Sequence, residues 1–328
     1  MTLRDLARRG AALLHAGSGA AARARRRLDG SRALVLMYHR VLPADDARQG
    51  AVEDGMYVTP GTFARHLDWL AAEGFRVLPL GELAERLAAE RPLPPAACAI
   101  TFDDGWRDNA EHALPALEAR GLPATVFVVT ERVGTEGAFW PDEVCRRLAA
   151  LALPARRALA ERLGAGPGPD PTDGVLAHLK RLGEDARARA LEALRAATPE
   201  PPARPRELMT WEELDRLARG GFAVESHGAT HAILTQLPDE ALRRELALAR
   251  ERLRERGHGR GGLLAYPSGA HDARVVTAAR DAGHRAAVTV ERGIARAGLD
   301  PLRIPRVGLH EDVSRTRAEF LWKAVPAA

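Results

Sequence analysis

Cysteine is nearly missing from this chain of 328 residues: only Cys98 and Cys145 occur. Two cysteines build neither a disulfide scaffold nor a multi-cysteine zinc site, so folding requires no oxidising compartment. Long apolar runs are missing too, and no stretch approaches the ~20 uncharged apolar residues of a membrane span. Aromatic residues make up 5% and lysine is scarce, since nearly all the basic residues are arginine. The net charge of +4 therefore reads as compositional drift toward arginine, and no nucleic-acid partner is expected. The single dense basic run is Arg23, Arg25, Arg26 and Arg27, in a basic helical extension over 1–30. Such a tail is either a solvated helix or a peripheral contact with anionic lipid. Its arginines follow the weakly apolar Leu13–Leu14 instead of preceding it, which is not the order of a secretory signal. That favours the cytoplasm or the cytoplasmic face of the membrane.

Apolar residues make up 46% and charged residues 28%, enough for a packed core. Short apolar runs of strand character recur at 33–37, 75–80, 97–102, 124–129, 222–226, 263–266, 285–290 and 303–308. Segments of helical period lie between them. Strand alternating with helix predicts a parallel sheet with crossover helices, and seven or eight such units predict a distorted (β/α) barrel. The alternation breaks from about 134 to 207. That stretch is rich in Ala, Arg and Leu, is helical in period, and ends in the proline cluster of 198–207. It reads as a mainly helical insertion in a single domain over 31–328.

Barrel active sites collect at the C-terminal ends of the strands. Four clusters fall there: Tyr38–His39, Thr101–Gly105 with its Asp103–Asp104 pair, Ser226–His231, and Tyr266–Gly269. Adjacent carboxylates facing one cavity repel unless a cation or a proton sits between them. His227 and His231, four residues apart, can face the same way. Two imidazoles and one carboxylate compose hydrolytic zinc centres, and also the iron site of non-haem oxygenases. The second carboxylate is left as a general base. An iron oxygenase fits poorly, because the Asp pair stands far upstream of both histidines in a β/α pattern. His39 either lines the pocket or caps its strand. Trp106 either lines a sugar site or packs at the barrel mouth. Trp140 and Trp211 read as core, Cys98 as an inert buried thiol, and His66 and His112 as solvated helix residues.

The stretch AITFDDGWRDN (99–109) resembles the first motif of the polysaccharide deacetylase family, the NodB-homology carbohydrate esterases. VESHGATHAIL (224–234) resembles the second motif and AYPSGAHD (265–272) the third. VLMYHRV (35–41), the strand at 123–128 and LRIPRVGL (302–309) are similar to flanking elements of one branch. The likeness covers roughly 33–133 and 208–310. It implies one divalent metal ion, zinc in such enzymes, held by Asp104, His227 and His231, with Asp103 as general base. It implies an oxyanion site at the backbone of Ser268 beside Tyr266, and an N-acetylated oligo- or polysaccharide substrate. Removal of O-acetyl groups at the same site, or glycan binding without catalysis, are the alternatives. Three departures stand out. Ala265 occupies the place of an arginine that orients the base, a task open to Arg303 or Arg306. Ser268 replaces an aromatic residue. The late Leu-x-x-His motif that supplies the acid is missing, since position 307 is Val. His310, at the end of the last strand, is the expected acid, ahead of His39, while His284 opens a strand at the opposite end.

Overall fold

The computed structural model describes residues 10–14, 19, 22, 25–137, 139–166 and 168–325. Seven strands form the body: β1 (Arg32–Tyr38), β2 (Ala97–Phe102), β3 (Ala124–Val128), β4 (Phe222–Ser226), β5 (Leu263–Ala265), β6 (Ala286–Arg292) and β7 (Ile304–Gly308). Each pairs in parallel with the next, and β7 pairs with β1, so the sheet closes into a barrel. The expected strand at 75–80 is only Arg76–Val77, an edge partner of β2 outside the ring. Pro79 stops it, and a helix begins at Leu80. The count is therefore seven.

The strands are buried on both faces, as a barrel demands, and β2 is buried at all six positions. Successive side chains point to opposite faces. One set joins Val35, Ala99, Phe127, Ala265, Val288 and Ile304, drawn from strands all around the ring, so this set fills the lumen. The other set, including Leu34, Leu36, Ile100 and Val126, packs outward on helices. In chain order the helices before the insertion are α1 (Pro60–Ala72), α2 (Leu80–Ala88) and α3 (Leu114–Glu118). His66 on α1 is buried and not solvated: its Nδ1 is 3.1 Å from the Tyr38 hydroxyl and its Nε2 is 2.7 Å from the Ser314 carbonyl. Burial pushes its pKa down to about 4. Cys98 is buried in β2, and burial pushes its thiol up to about 12.

Residues 140–197 hold four helices, α4 (Trp140–Ala149), α5 (Leu153–Arg162), α6 (Pro171–Arg181) and α7 (Glu184–Ala197). They share a core of their own, with Val144, Leu148, Val175, Leu179 and Leu194 at its centre. Trp140 packs on this core, while Trp211 packs on the barrel's outer core. The barrel resumes with α8 (Trp211–Arg219), α9 (Asp239–Glu255) and α10 (Ala273–Asp281), and α11 (Glu311–Ser314) and α12 (Arg317–Ala324) follow β7. Of the N-terminal extension, 10–14 is helical with Leu13 and Leu14 exposed, Arg25 pairs with Glu73 at 3.0 Å, and Arg23 lies outside the described residues. Nothing in these contacts supports a membrane partner. Among the described residues no helix is long and apolar enough to cross a membrane.

Leu179 is fully buried among the insertion helices. Leu179→Ala leaves a cavity there and should cost about 2–5 kcal/mol, read as a lowered thermal transition. An unchanged transition would mean that this cluster contributes little to stability.

Candidate active site

The register sets the site. Tyr38 pairs with Phe102, so β1 and β2 end level and deliver His39 and Asp103 side by side. Val128 pairs with Ser226, which brings His227 to the same rim. Asp104, His231 and Ser268 all have left-handed backbones, with φ of 75°, 69° and 55°. That conformation costs on the order of 1–3 kcal/mol for a non-glycine residue and persists only where its surroundings enforce it.

Two buried groups hold the first two of these positions. The Trp106 indole Nε1 donates to Asp104 Oδ2 at 2.9 Å, and Arg40 lies over the Trp106 ring at 4.0 Å. Trp106 is thus packed under the site and is not a sugar platform. Arg40 is itself held by Asp108 at 3.0 Å and Glu207 at 2.6 Å. On the other side Glu245 of α9 accepts from the backbone N–H groups of Ala229 (2.9 Å) and Thr230 (2.7 Å), and from the Thr230 hydroxyl (3.1 Å). It clamps the loop between the two histidines. A Cβ at Gly228 would meet Glu245 Oε1 at 2.9 Å, so the clamp needs glycine there. Glu245 was visible in the sequence as an acid on the buried stripe of its helix, with Leu242, Leu246 and Ala249.

Asp103 is 2% exposed. Arg306 of β7 grips both its oxygens, at 2.7 and 2.6 Å, and also donates to the Thr101 hydroxyl (3.1 Å) and the Thr289 carbonyl (2.9 Å). Burial alone would raise the carboxyl, but the guanidinium charge and its hydrogen bonds outweigh burial and hold it below the ordinary value. Arg303 is exposed and plays no part in this contact.

Asp104 Oδ1 lies 3.4 Å from His227 Nε2 and 3.5 Å from His231 Nε2. One ligand atom from each residue falls within 4.8 Å of the others. His227 Nδ1 is 2.8 Å from the Ala265 carbonyl, which only accepts, so the proton sits on Nδ1 and the Nε2 lone pair faces the cluster. Burial works against a proton on His227, yet Asp104 and Asp103 overcome it and raise its pKa, a sign of how strongly the carboxylates favour positive charge here. Burial and the neighbouring His227 push His231 down to about 4, which keeps it a neutral donor. The donor set and its outer partners fit a divalent metal ion.

A cavity of about 260 Å³ opens over this cluster. His39, Tyr266 and Ser268 line it from the barrel, and His39 Nε2 is 3.9 Å from Asp103 Oδ2. The Tyr266 hydroxyl turns away and donates to the Leu302 carbonyl at 2.9 Å. His310 is not among the cavity-lining residues. It caps the start of α11, with Nδ1 3.3 Å from Asp312. Leu36-Met37-Tyr38-His39 has a Leu-x-x-His spacing, carried on the first strand, and β1 and β7 are neighbours in the ring. Glu53, Asp142 and Lys180 also line the cavity, and no pattern in the sequence marks them.

A closed parallel barrel with paired imidazoles and carboxylates gathered at the C-terminal rim is a recurrent build of enzymes. The polysaccharide deacetylase profile matches residues 90–287, and the chain belongs to that family. The Bacillus subtilis protein YxkH, assigned to the polysaccharide deacetylases, is 22% identical over 280 residues, covering 85% of this chain and 72% of that protein. A poly-β-1,6-N-acetyl-D-glucosamine N-deacetylase of Staphylococcus epidermidis is 31% identical over 110 residues, 31% of this chain and 38% of its own length. Among solved structures, the Streptococcus pyogenes deacetylase PplD with acetate superposes with a TM-score of 0.62 at 18% identity, covering 90% of this chain and 99% of that one. IcaB from Ammonifex degensii gives 0.59 at 20% identity, covering 89% and 97%. The last two likenesses are of fold.

Two predictions follow from the contacts of the aspartates. Trp106→Phe removes the donor to Asp104 and should weaken metal binding about 10–100-fold, measured by competition with a chelator. Arg306→Ala leaves a buried carboxylate without its partner and should cost about 3–5 kcal/mol near neutral pH. Asp103 has a lowered pKa when folded, so its share of stability is present above the ordinary carboxylate value and is lost as pH falls through the folded one. Without Arg306 burial dominates, the pKa rises, and the acid limb of the kcat/KM profile should move to higher pH. A limb that stays in place would show that Asp103 is not the group titrating there.

Proposed function

We propose that this protein is a metal-dependent N-deacetylase that frees an amine on an N-acetylated glycan or glycan precursor. The observation that supports it most directly is the coexistence of two separately held carboxylates: Asp104 aimed at His227 and His231, and Asp103 gripped by Arg306. Asp104, His227 and His231 hold the metal, with zinc the ion this donor set suits. When bound, the metal polarises the acetamide carbonyl and acidifies a water molecule. Asp103 accepts the water proton at the oxygen nearer the cavity, while Arg306 keeps both oxygens oriented. The Ser268 backbone N–H, presented by its left-handed turn, faces the oxyanion of the tetrahedral intermediate. His39 delivers a proton to the leaving nitrogen as the C–N bond breaks, giving acetate and the free amine. His39 takes this role in preference to His310 because it lines the same cavity as Asp103.

The test combines metal analysis with acetate release from chito-oligosaccharides. His227→Ala should lose both metal and activity. Asp103→Asn should keep the metal and lose about 10²–10⁴ in rate, the scale of a positioned base. Stoichiometric zinc in His227→Ala would overturn the ligand assignment. His39→Ala should abolish the basic limb for amide substrates while sparing esters with good leaving groups. The same effect in His310→Ala instead would return the acid to the last strand. Release of acetate from O-acetylated sugars alone would make the protein an esterase.

A further inference from the structure

The insertion reaches the site in two places, and at the first, Lys180, it is held at both ends. Lys180, near the end of α6, places its amine 2.5 Å from Glu53. Its backbone carbonyl accepts from the Gln236 side chain at 2.9 Å. Gln236 in turn accepts from Arg187 of α7 at 3.0 Å. Glu53 belongs to the loop after β1, and Gln236 to the turn that follows the histidine loop after β4. These loops rise from opposite arcs of the ring, with β2 and β3 between them. The insertion is thus moored across the barrel mouth and not merely beside it.

The start of the insertion closes a second side. The Phe139 ring lies 4.8 Å from the His231 ring and meets Trp106 edge-on at 5.4 Å. One helical turn later Asp142 faces the cavity. Burial raises its carboxyl above the ordinary value, and its oxygens are placed to meet hydroxyl groups of a ligand in the cavity. The space left is about 260 Å³, below the ~300–1,000 Å³ of pockets that enclose a drug-sized ligand. A volume of that size holds one sugar ring with its acetamide. An interior residue of a polymer needs room for a neighbouring ring on each side.

We infer that Lys180, Glu53 and Asp142 are specificity-determining residues that restrict the site to an N-acetyl sugar at a chain end or in a short glycan. This rests on the deacetylase reading above. The Lys180–Glu53 pair forms the polar rim that blocks passage of a second ring, and Asp142 meets hydroxyl groups of the enclosed one. The substrate class is then a terminal or carrier-linked amino sugar, and interior residues of a long polymer are excluded.

The experiment uses the full-length zinc-loaded protein with diacetylchitobiose and hexaacetylchitohexaose. Acetate release is followed, and tandem mass spectrometry locates each freed amine. The wild-type protein should free the amine on a terminal residue of the hexamer, at a rate per chain no greater than for the dimer. The paired change Glu53→Ala with Lys180→Ala should raise the ratio of interior to terminal cleavage by on the order of tenfold or more, the scale on which pocket contacts discriminate substrates. Lys180→Gln, which keeps side-chain bulk, should shift the pattern less; metal content and thermal transition are measured for each variant. Interior residues freed as readily as terminal ones by the wild type would overturn the inference. So would an unchanged pattern in the double variant with wild-type metal content. No acetate from either oligosaccharide would instead overturn the deacetylase reading itself, and this inference with it.

Discussion

The buried pairing of Arg306 with Asp103 is the contact on which the rest of the site depends. It joins the seventh strand to the second across the top of the lumen, next to β1, the strand that lies between them in the ring. Both partners are almost wholly withdrawn from water, where an unpaired charge is prohibitive. The arrangement is tolerable because two further donors of the arginine are met by Thr101 and the Thr289 carbonyl. With Asp103 committed to this grip, the neighbouring Asp104 is left to face the histidines. One strand end therefore supplies two carboxylates in different electrostatic settings, the separation that the proposed roles of base and ligand require.

The three left-handed residues show how the surrounding fold holds such a rim. Asp104, His231 and Ser268 each sit in a conformation that isolated chains avoid. Trp106 fixes the first through an indole hydrogen bond, and Glu245 fixes the loop leading to the second through three. Neither touches the cavity floor as a reacting group. Both act by denying Asp104 and the histidines any other orientation, so the geometry of this donor cluster is a property of packing one layer further out.

The insertion alters what that rim can admit. Its helices have a core of their own, yet Phe139, Asp142 and Lys180 come back to the site and line the cavity over it. Charge at the outer cavity wall is mixed: acidic from Glu53 and Asp142, basic from Lys180. Polar walls of both signs suit a neutral, hydroxyl-rich ligand better than an ionic one.

Much of this was legible in the sequence because it is local. Buried parallel strands read as short apolar runs, and β2, with six buried positions, is the clearest of them. The Asp pair and the spaced histidines fall directly after such runs, so their placement on one rim follows from strand polarity alone. What stayed illegible depends on which strand lies beside which. Arg303 and Arg306 were equal candidates until β7 closed the ring and turned Arg306 inward over Phe127. His310 ranked above His39 as the expected acid because it stands late in the chain, an order that does not show that closure sets the first and last strands side by side or that His310 stands beside Asp312 at the start of α11. His66 read as solvated on its helix, yet α1 packs it between Tyr38 and Ser314. Glu53, Lys180 and Gln236 carry no motif at all, since three polar residues far apart in sequence gain meaning only when folding sets them across one opening. Strand periodicity and motif spacing are written along the chain, whereas pairing across the barrel is decided by packing between segments that the sequence keeps apart.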